Sequence, residues 1–433
     1  MAPQGKARVV IQLASVVSTL STFLDRPDGD DFDEDFELQF AAVSRKAEQL
    51  LDGIAKPKLG RGGGGPGVRA PKLQMPSQMY YDSYVRLPEQ FQGLCGYSPK
   101  EFEDLHTDVL DVLQRTRNQN QTFTEEENKL RRKRRYKFSS RERLWHFLMF
   151  NRCYPRLRKN GADIGMSKSA FLLDFVWLRG ELVVHPLLVE ECQWPSPDKL
   201  EEERLLLVEA GLLSPGFEQS VFMCDGTKDL GRRSAHYGHK HEPDYSQKGN
   251  GKSHLLMTNL FGKPMMAACG IQGCENDPAA YQQTHLYRDP DAFLKPNHSG
   301  LFDGVFQNAL HVNTTETGIL PANAPEMRKA APAMRKMLAK MNKEQRYLRC
   351  PIEQTFGMIK KWAIVGDTVF RGSLDQQGEN FLLCTQLTAR LMRVRDEYPR
   401  GKKWLNGEKE EWEEAWERNG WLYSDPLHPD LYV

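Results

Sequence analysis

Three acidic residues in the second half of the chain have the type and spacing of a shared catalytic site. Asp225 follows the apolar run 221–224, Asp303 follows a shorter apolar run, and Glu353 lies in a segment of helical periodicity. Each aspartate is followed at once by glycine, which predicts a strand that stops on its carboxylate. Hard oxygen ligands of this kind suit Mg²⁺ or Mn²⁺. The pattern is therefore compatible with two-metal phosphoryl-transfer chemistry, although three acids near strand ends also occur by chance in most α/β proteins.

The segment around Glu353 allows two interpretations. Pro351 favours the first turn of a helix, so an acid just after it could simply complement the helix dipole. If the helix instead runs through the segment, three apolar residues share one side: Ile352, Phe356 and Ile359. The other side then carries Arg346, Arg349, Glu353 and Lys360. A single acid in a basic stripe fits a metal ligand beside phosphates.

Hydrophobic periodicity predicts the elements that position the acids. Strands are predicted at 220–225, 254–261, 264–271 and 299–303, with Gly262-Lys263 as a tight hairpin turn. Helices are predicted after a cap at Asn276 or Asp277, at 321–349 and at 381–395. Three antiparallel strands, a helix, a further strand and a late helix are the order of an RNase H-like core. The expected fold class is therefore α/β, a mixed sheet with flanking helices.

A mostly helical, DNA-binding region is predicted to precede this core. One helix is capped by Ser139 or Ser140, and a glycine-containing break separates it from a second helix at 166–178. The buried stripe of the first helix is predicted to contain Leu144, Trp145, Phe147 and Leu148. This order is typical of a helix-turn-helix, in which Lys168 faces DNA. A plain helical hairpin in the core fits the same pattern.

Composition divides the chain into four parts. Residues 1–77 hold an apolar stretch at 8–24 and then acidic and Gly-rich runs, which favour a largely flexible linker. The other parts are the helical region at 78–193, a catalytic domain at 194–395 with an insert at 321–345, and a Trp-rich tail at 396–433.

The net charge of +1 over 433 residues means that any nucleic-acid-binding surface must be local. Residues 129–137 carry seven positive charges, and residues 28–37 carry seven negative ones. The basic cluster is a candidate nuclear-localisation signal, although an exposed helix face fits it equally well. Eight cysteines without a close CxxC pair argue against a zinc ribbon and a disulfide scaffold. The absence of a long apolar run predicts a soluble, intracellular protein that does not bind membranes.

Three histidines lie close together at His236, His239 and His241, just after Arg232 and Arg233. A fourth zinc ligand does not occur at a recognisable spacing, so this segment is interpreted as a polar, DNA-facing loop.

A series of motifs resembles a known family in type and in order. The motifs are Asp225-Gly-Thr, Tyr245 with Lys252, Asn276-Asp277, Asp303-Gly-Val-Phe, Asn342-Lys-Glu-Gln-Arg346 and Arg349-Cys-Pro-Ile-Glu-Gln-Thr-Phe-Gly-Met-Ile-Lys360. Over residues 194–395 they resemble the DDE endonuclease domain of PIF/Harbinger transposases, and the Arg-x-x-x-Glu-x-x-Phe-Gly-x-x-Lys pattern is the most specific. The chain departs from the family at Lys228, where His is usual, and it lacks the family's Leu-His-Asn motif.

The resemblance implies a DNA transposase that cuts transposon ends and joins the freed 3′-hydroxyl to target DNA with two Mg²⁺ ions, for which Mn²⁺ can substitute. Asp225, Asp303 and Glu353 match the family's catalytic metal ligands, and Asp277 matches a secondary motif. Residues expected to contact DNA are Lys168, Arg232, Arg233, Lys252, Arg346, Arg349, Lys360 and Lys361. Trp362 either stacks on a displaced base or lies in the core.

The resemblance also implies partners and a location. The expected partners are double-stranded DNA, further copies of the chain and a Myb-like DNA-binding protein, and the expected location is the nucleus. Two alternatives stay open. One is a domesticated, nuclease-inactive protein that keeps the fold and tethers partners to DNA; the other is an RNase H-like nuclease without strand transfer.

Overall fold

The structure of the chain is a computed structural model. It describes residues 76–115, 139–155, 168–231, 245–246, 249–308, 317–319, 321–322, 324–366, 369–372, 375–401 and 405. Several predicted features lie outside these residues: the helix at 8–24, the acidic run at 28–37, the basic cluster at 129–137, Arg232, Arg233, the histidines at 236–241 and the terminal tryptophans. Among the described helices, none is long and apolar enough to cross a membrane.

Helices occupy the described part of the chain before residue 210. They are α1 (Pro76–Val85), α2 (Pro88–Cys95), α3 (Pro99–Asp108), α4 (Leu110–Gln114), α5 (Ser140–Cys153), α6 (Lys168–Val183), α7 (Pro186–Val189) and α8 (Pro197–Glu209). The predicted cap at Ser139 is confirmed, since its side chain and that of Glu142 form a capping box at the start of α5. The four side chains predicted to be buried are buried, but a single buried stripe is wrong, because every residue of α5 from Glu142 to Asn151 is buried.

The two helices of the proposed helix-turn-helix pack through aromatic side chains. Phe147 stacks on Phe175 at 4.9 Å, and Phe150 meets Phe171 edge to face at 5.1 Å between ring centroids. The side chain of Lys168, at the start of α6, is not among those described, so the contact of Lys168 with DNA stays a prediction.

One mixed sheet follows these helices. The strands are β1 (Ser220–Leu230), β2 (Tyr245–Ser246), β3 (Gly249–Thr258), β4 (Pro264–Ile271), β5 (Ser299–Leu301) and β6 (Thr317–Ile319). Strands β1, β3 and β4 are antiparallel neighbours, with β3 in the middle, whereas β5 and β6 run parallel to β1. The predicted α/β class with a mixed sheet is confirmed.

The sheet is buried on both faces. Alternate residues of β1 and β3 enter two hydrophobic clusters: Met223 and Leu256 face one, Phe222 and Leu255 the other. The helices after β4 are α9 (Asp277–Gln282), α10 (His285–Arg288), α11 (Ala324–Lys329), α12 (Pro332–Ile359) and α13 (Asp375–Arg395), and of these α9, α12 and α13 contact the strands. The helices before the sheet share the first cluster with α12 and α13, so apolar packing is continuous across that face.

Three predicted strand ends are wrong, and one of them is the end of β5, which stops at Leu301 and not at Asp303. Strand β1 does not stop at Asp225 but continues to Leu230, because its polar residues still pair with β3 from Leu256 back to Gly251. The strand predicted at 254–261 ends at Thr258. The hairpin therefore turns through Asn259 to Lys263, and Gly262 takes a positive φ of 89° within that turn.

The helix that carries Glu353 is far longer than a start at Pro351 allows. Helix α12 has 28 residues and passes straight through Pro351, so the proline does not mark its beginning. Proline has no N–H to donate, which leaves the carbonyl four residues earlier, that of Tyr347, without its usual helical partner. The buried guanidinium of Arg400 donates to Tyr347 O and, at 3.2 Å, to Leu348 O. A residue distant in sequence thus completes the helix.

Replacing Arg400 with methionine should lower the free energy of unfolding by about 1–3 kcal/mol, because two buried carbonyls lose a donor. The loss should be smaller in a Pro351→Ala background, where residue 351 regains an N–H for Tyr347 O. A double-mutant cycle measured by urea denaturation checks this coupling. Equal losses in both backgrounds would contradict the role assigned to Arg400.

Candidate acidic site

The pairing of β1 with β5 brings Asp225 and Asp303 together. The strands are parallel, and Met223 lies opposite Leu301. Each aspartate is two residues beyond this pair, at the point where β5 ends and β1 continues. The two side chains therefore reach the same edge of the sheet from neighbouring strands, as the sequence predicted, although Asp225 lies within its strand.

The glycine after each aspartate has a local role. Asp225 accepts a hydrogen bond from the N–H of Gly226 at 2.8 Å, and Asp303 accepts one from the N–H of Gly304 at 2.6 Å. These bonds to backbone hold both carboxylates in fixed directions.

Arg349 lies between the two aspartates. Its guanidinium is 3.1 Å from Asp225 Oδ2 and 3.6 Å from Asp303 Oδ1. The Arg349 side chain is buried, whereas the Asp303 side chain is half exposed. Arg349 thus supplies the positive charge that lets two carboxylates approach each other. Its predicted contact with DNA stays a prediction.

Glu353 lies one turn after Arg349 on α12, and its side chain is exposed. The charge of Glu353 contributes to raising the pKa of Asp225. The pKa of Asp225 is raised to about 6, first by burial, with further increases from the charges of Asp303 and Glu353. Arg349 and the Gly226 N–H act in the opposite direction. The three predicted acids are therefore close enough to form one electrostatic unit.

Helix α12 is fixed against the sheet beside the acids. Gln345 is buried, and its Nε2 donates to the carbonyl of Phe302 at 2.6 Å. This bond joins the helix of Glu353 to the residue before Asp303. The buried residues Ile352, Phe356 and Ile359 pack beneath, which confirms the predicted apolar side. Sequence reasoning missed Gln345, because a polar residue inside a basic stripe gives no signal of burial.

A fourth carboxylate lies directly over β1. Asp277 begins α9, which the side chain of Asn276 caps as predicted. A Cβ added to Gly226 would lie 2.2 Å from Asp277 Oδ1, so the carboxylate fills the space that any other residue would take. Position 226 thus requires glycine because of this close approach. The nearby Lys228 donates from Nζ to the carbonyl of Gly273 at 3.2 Å.

The fit of the site to a metal ion is incomplete in this arrangement. Among the described residues, no group of three or more His, Cys, Asp or Glu side chains is arranged to hold a metal ion. The donor set itself, carboxylates on adjacent strands and a neighbouring helix, is of the type that Mg²⁺ prefers. Arg349 stands where a cation would balance the two aspartates.

No protein-family model, curated protein or solved structure matches this chain. Function must therefore be inferred from the motifs and from the geometry of the acidic site.

The remaining predicted site residues differ in how far they are exposed to solvent. Arg346 and Lys360 are half-buried and Lys361 is exposed, while Lys252 is half-buried on β3. Trp362 is buried and donates from Nε1 to Thr388 Oγ1 at 3.0 Å. Stacking of Trp362 on a displaced base is thus wrong, because both its ring and its N–H are already used in the core.

Gly226→Ala should destabilise the protein by about 1–3 kcal/mol, because the new methyl group overlaps the Asp277 carboxylate. The same change should cost less when Asp277 is replaced by alanine, which removes the overlapping atoms. Urea denaturation of the two single variants and the double variant measures this relief. A double variant that loses the full sum would contradict the close approach.

Asp225→Asn should stabilise the metal-free protein at pH 7.5 by about 1–2 kcal/mol. The folded pKa of Asp225 lies above its ordinary value, so the folded state binds more protons between about pH 4 and 6, and stability falls as the pH rises through that window. Asparagine carries no such penalty. Thermal unfolding of the wild type and of Asp225→Asn in a chelator, at pH 5 and at pH 7.5, tests this prediction. An equal gain in stability at the two pH values would refute it.

Proposed function

We propose that the chain is a metal-dependent DNA endonuclease and strand transferase of the DDE type, similar to PIF/Harbinger transposases, with an RNase H-like catalytic core. The observation that carries this proposal is the parallel register of β1 and β5, which aligns Asp225 with Asp303 beside the helix of Glu353. Two of the three acids that the motifs singled out thereby share one edge of the sheet, and the third lies on the helix beside it.

The strand order supports an RNase H-like core. Three antiparallel strands are followed by two short strands parallel to the first, and a helix separates the two groups along the chain. In an RNase H-like core the catalytic carboxylates come from the first strand, from the strand that returns parallel beside it, which is β5 here, and from a later helix. Asp225, Asp303 and Glu353 occupy these positions.

The proposed reaction is phosphodiester hydrolysis followed by transfer of the freed 3′-hydroxyl to target DNA. Two Mg²⁺ or Mn²⁺ ions held by Asp225, Asp303 and Glu353 would lower the pKa of the attacking water and stabilise the leaving 3′-oxygen. The chain itself positions the acids through the Gly226 and Gly304 N–H groups and through Gln345.

Arg349 has two uses in this proposal. Without bound cations it neutralises Asp225 and Asp303 and keeps them at one site. When the carboxylates are balanced by cations, its guanidinium donors become available for a DNA phosphate, the anion that such a planar fork recognises best. Arg346, Lys360 and Lys361 extend the same basic surface along α12 and beyond its end.

The wider setting follows from the same proposal. The partners are transposon ends and target DNA, at least one further copy of the chain to hold two ends, and a Myb-like DNA-binding protein. The basic cluster at 129–137 directs the chain to the nucleus.

A second function, a nuclease-inactive protein that tethers partners to DNA, is favoured by one observation. The bridge from Arg349 to both aspartates satisfies their charge with no cation present. If cations fail to displace this bridge, the fold binds DNA without cutting it.

Purified protein should nick supercoiled DNA in the presence of Mg²⁺ or Mn²⁺, and Asp225→Ala, Asp303→Ala or Glu353→Ala should each reduce nicking by at least 100-fold, on the order of the effect of removing a charge-stabilising group. Glu209→Ala, which removes an exposed acid at the end of α8, is the control and should remain active. Gel assays of nicked circles measure the rates.

The same assay separates the two functions. DNA binding by the wild type without cleavage in either metal would exclude the transposase and select the tethering protein. Joining of a pre-cut end to a target plasmid would distinguish a strand transferase from a simple nuclease.

A further inference from the structure

The first half of α12 lies outside the core and carries concentrated positive charge. Buried residues of this helix begin at Gln345, so residues 332–344 form a projection about 20 Å long. With the preceding α11, the segment 324–344 is here named the basic arm. It contains six basic residues and two acidic ones, so its net charge is +4 in a chain of overall charge +1.

The basic arm is a fixed structure with its own bonds. Arg335 donates to the carbonyls of Met327, Arg328 and Ala330 at 3.1–3.4 Å, which closes the C-terminal end of α11 onto α12. Asn342 pairs with both backbone groups of Ala322, at 2.8 and 3.0 Å. Arg335 and Asn342 are therefore used internally, and they join α11 and the residues before it to α12.

The lysines of the arm are placed differently. Lys329, Lys336 and Lys340 are exposed. Lys336 and Lys340 are one turn apart and share a face of α12. Long exposed lysines on a rigid helix present point charges to a partner without any local rearrangement.

We propose that the basic arm binds the phosphate backbone of duplex DNA next to the acidic site. This rests on the proposed function, since it takes DNA as the substrate of Asp225, Asp303 and Glu353. Lys340 and Glu353 lie on one continuous helix about 20 Å apart, which equals about six base pairs of DNA. A duplex that is held at the acids and runs parallel to α12 comes within reach of the arm, where its phosphates meet the lysines, although the thirteen residues from Lys340 to Glu353 turn the helix by about 220° and place these two side chains on different faces.

The test replaces the three exposed lysines together, as Lys329→Gln, Lys336→Gln and Lys340→Gln. Removing three phosphate contacts should weaken binding of a random-sequence 40-base-pair duplex at least tenfold at about 0.1 M salt and reduce the slope of log affinity against log salt by about 2–3. The matched control is Arg86→Gln, Lys100→Gln and Lys199→Gln, which removes the same charge from exposed positions elsewhere. Its slope should stay close to that of the wild type.

Other outcomes also decide. Equal affinity and slope in the lysine variant and the wild type would overturn the arm proposal. Carbodiimide cross-linking of the arm to the acidic run at 28–37 would then assign it to the chain's own carboxylates. Absence of duplex binding by the wild type would overturn both proposals.

Nicking measured on the same preparations keeps the two proposals apart. A wild type that binds but never nicks, together with weakened binding by the lysine variant, supports the arm and counts against the nuclease. A wild type that nicks, with no effect of the lysines on binding, supports the nuclease and counts against the arm.

Discussion

The whole site depends on placing acidic groups close together at a partly buried sheet edge. Such an arrangement costs free energy unless positive charge is nearby, and the chain supplies that charge through Arg349. Even so, burial keeps the pKa of Asp225 near 6. The metal-free fold therefore stores an unfavourable interaction that binding of cations or of a basic ligand would relieve. Functional sites commonly carry this kind of strain.

Helix α12 connects every part of this arrangement. It carries Arg349 and Glu353, it bonds to the strand edge through Gln345, and it continues outward as the basic arm. Pro351 cannot donate the helical hydrogen bond to the carbonyl of Tyr347, and the distant Arg400 donates to that carbonyl in its place. Helix α13 packs on the same face of the sheet as α12, where His254 of β3 stacks on Phe381 of α13 at 4.2 Å.

Features that depend on local sequence were predicted correctly, whereas features that depend on contacts between distant residues were not. Strand β4 and the caps at Ser139 and Asn276 follow directly from periodicity and cap chemistry. The extension of β1 beyond Asp225 was missed, because polar residues there are held by pairing with β3 and not by apolar alternation. The course of α12 through Pro351 was missed for a related reason. Its compensating donor lies about fifty residues away, beyond any window that a periodicity argument uses.

Because α12 is continuous, the angle about the helix axis between Lys340 and Glu353 is set by the number of residues between them. Each residue inserted between Lys340 and Glu353 would rotate the two relative to each other by about 100°, whereas seven residues, close to two full turns, would nearly restore their relation. The length of the helix between these residues thus sets both their distance and the angle between them. The projection of α12 can therefore change in length only in steps of whole turns if Lys340 and Glu353 are to keep their present angle to each other.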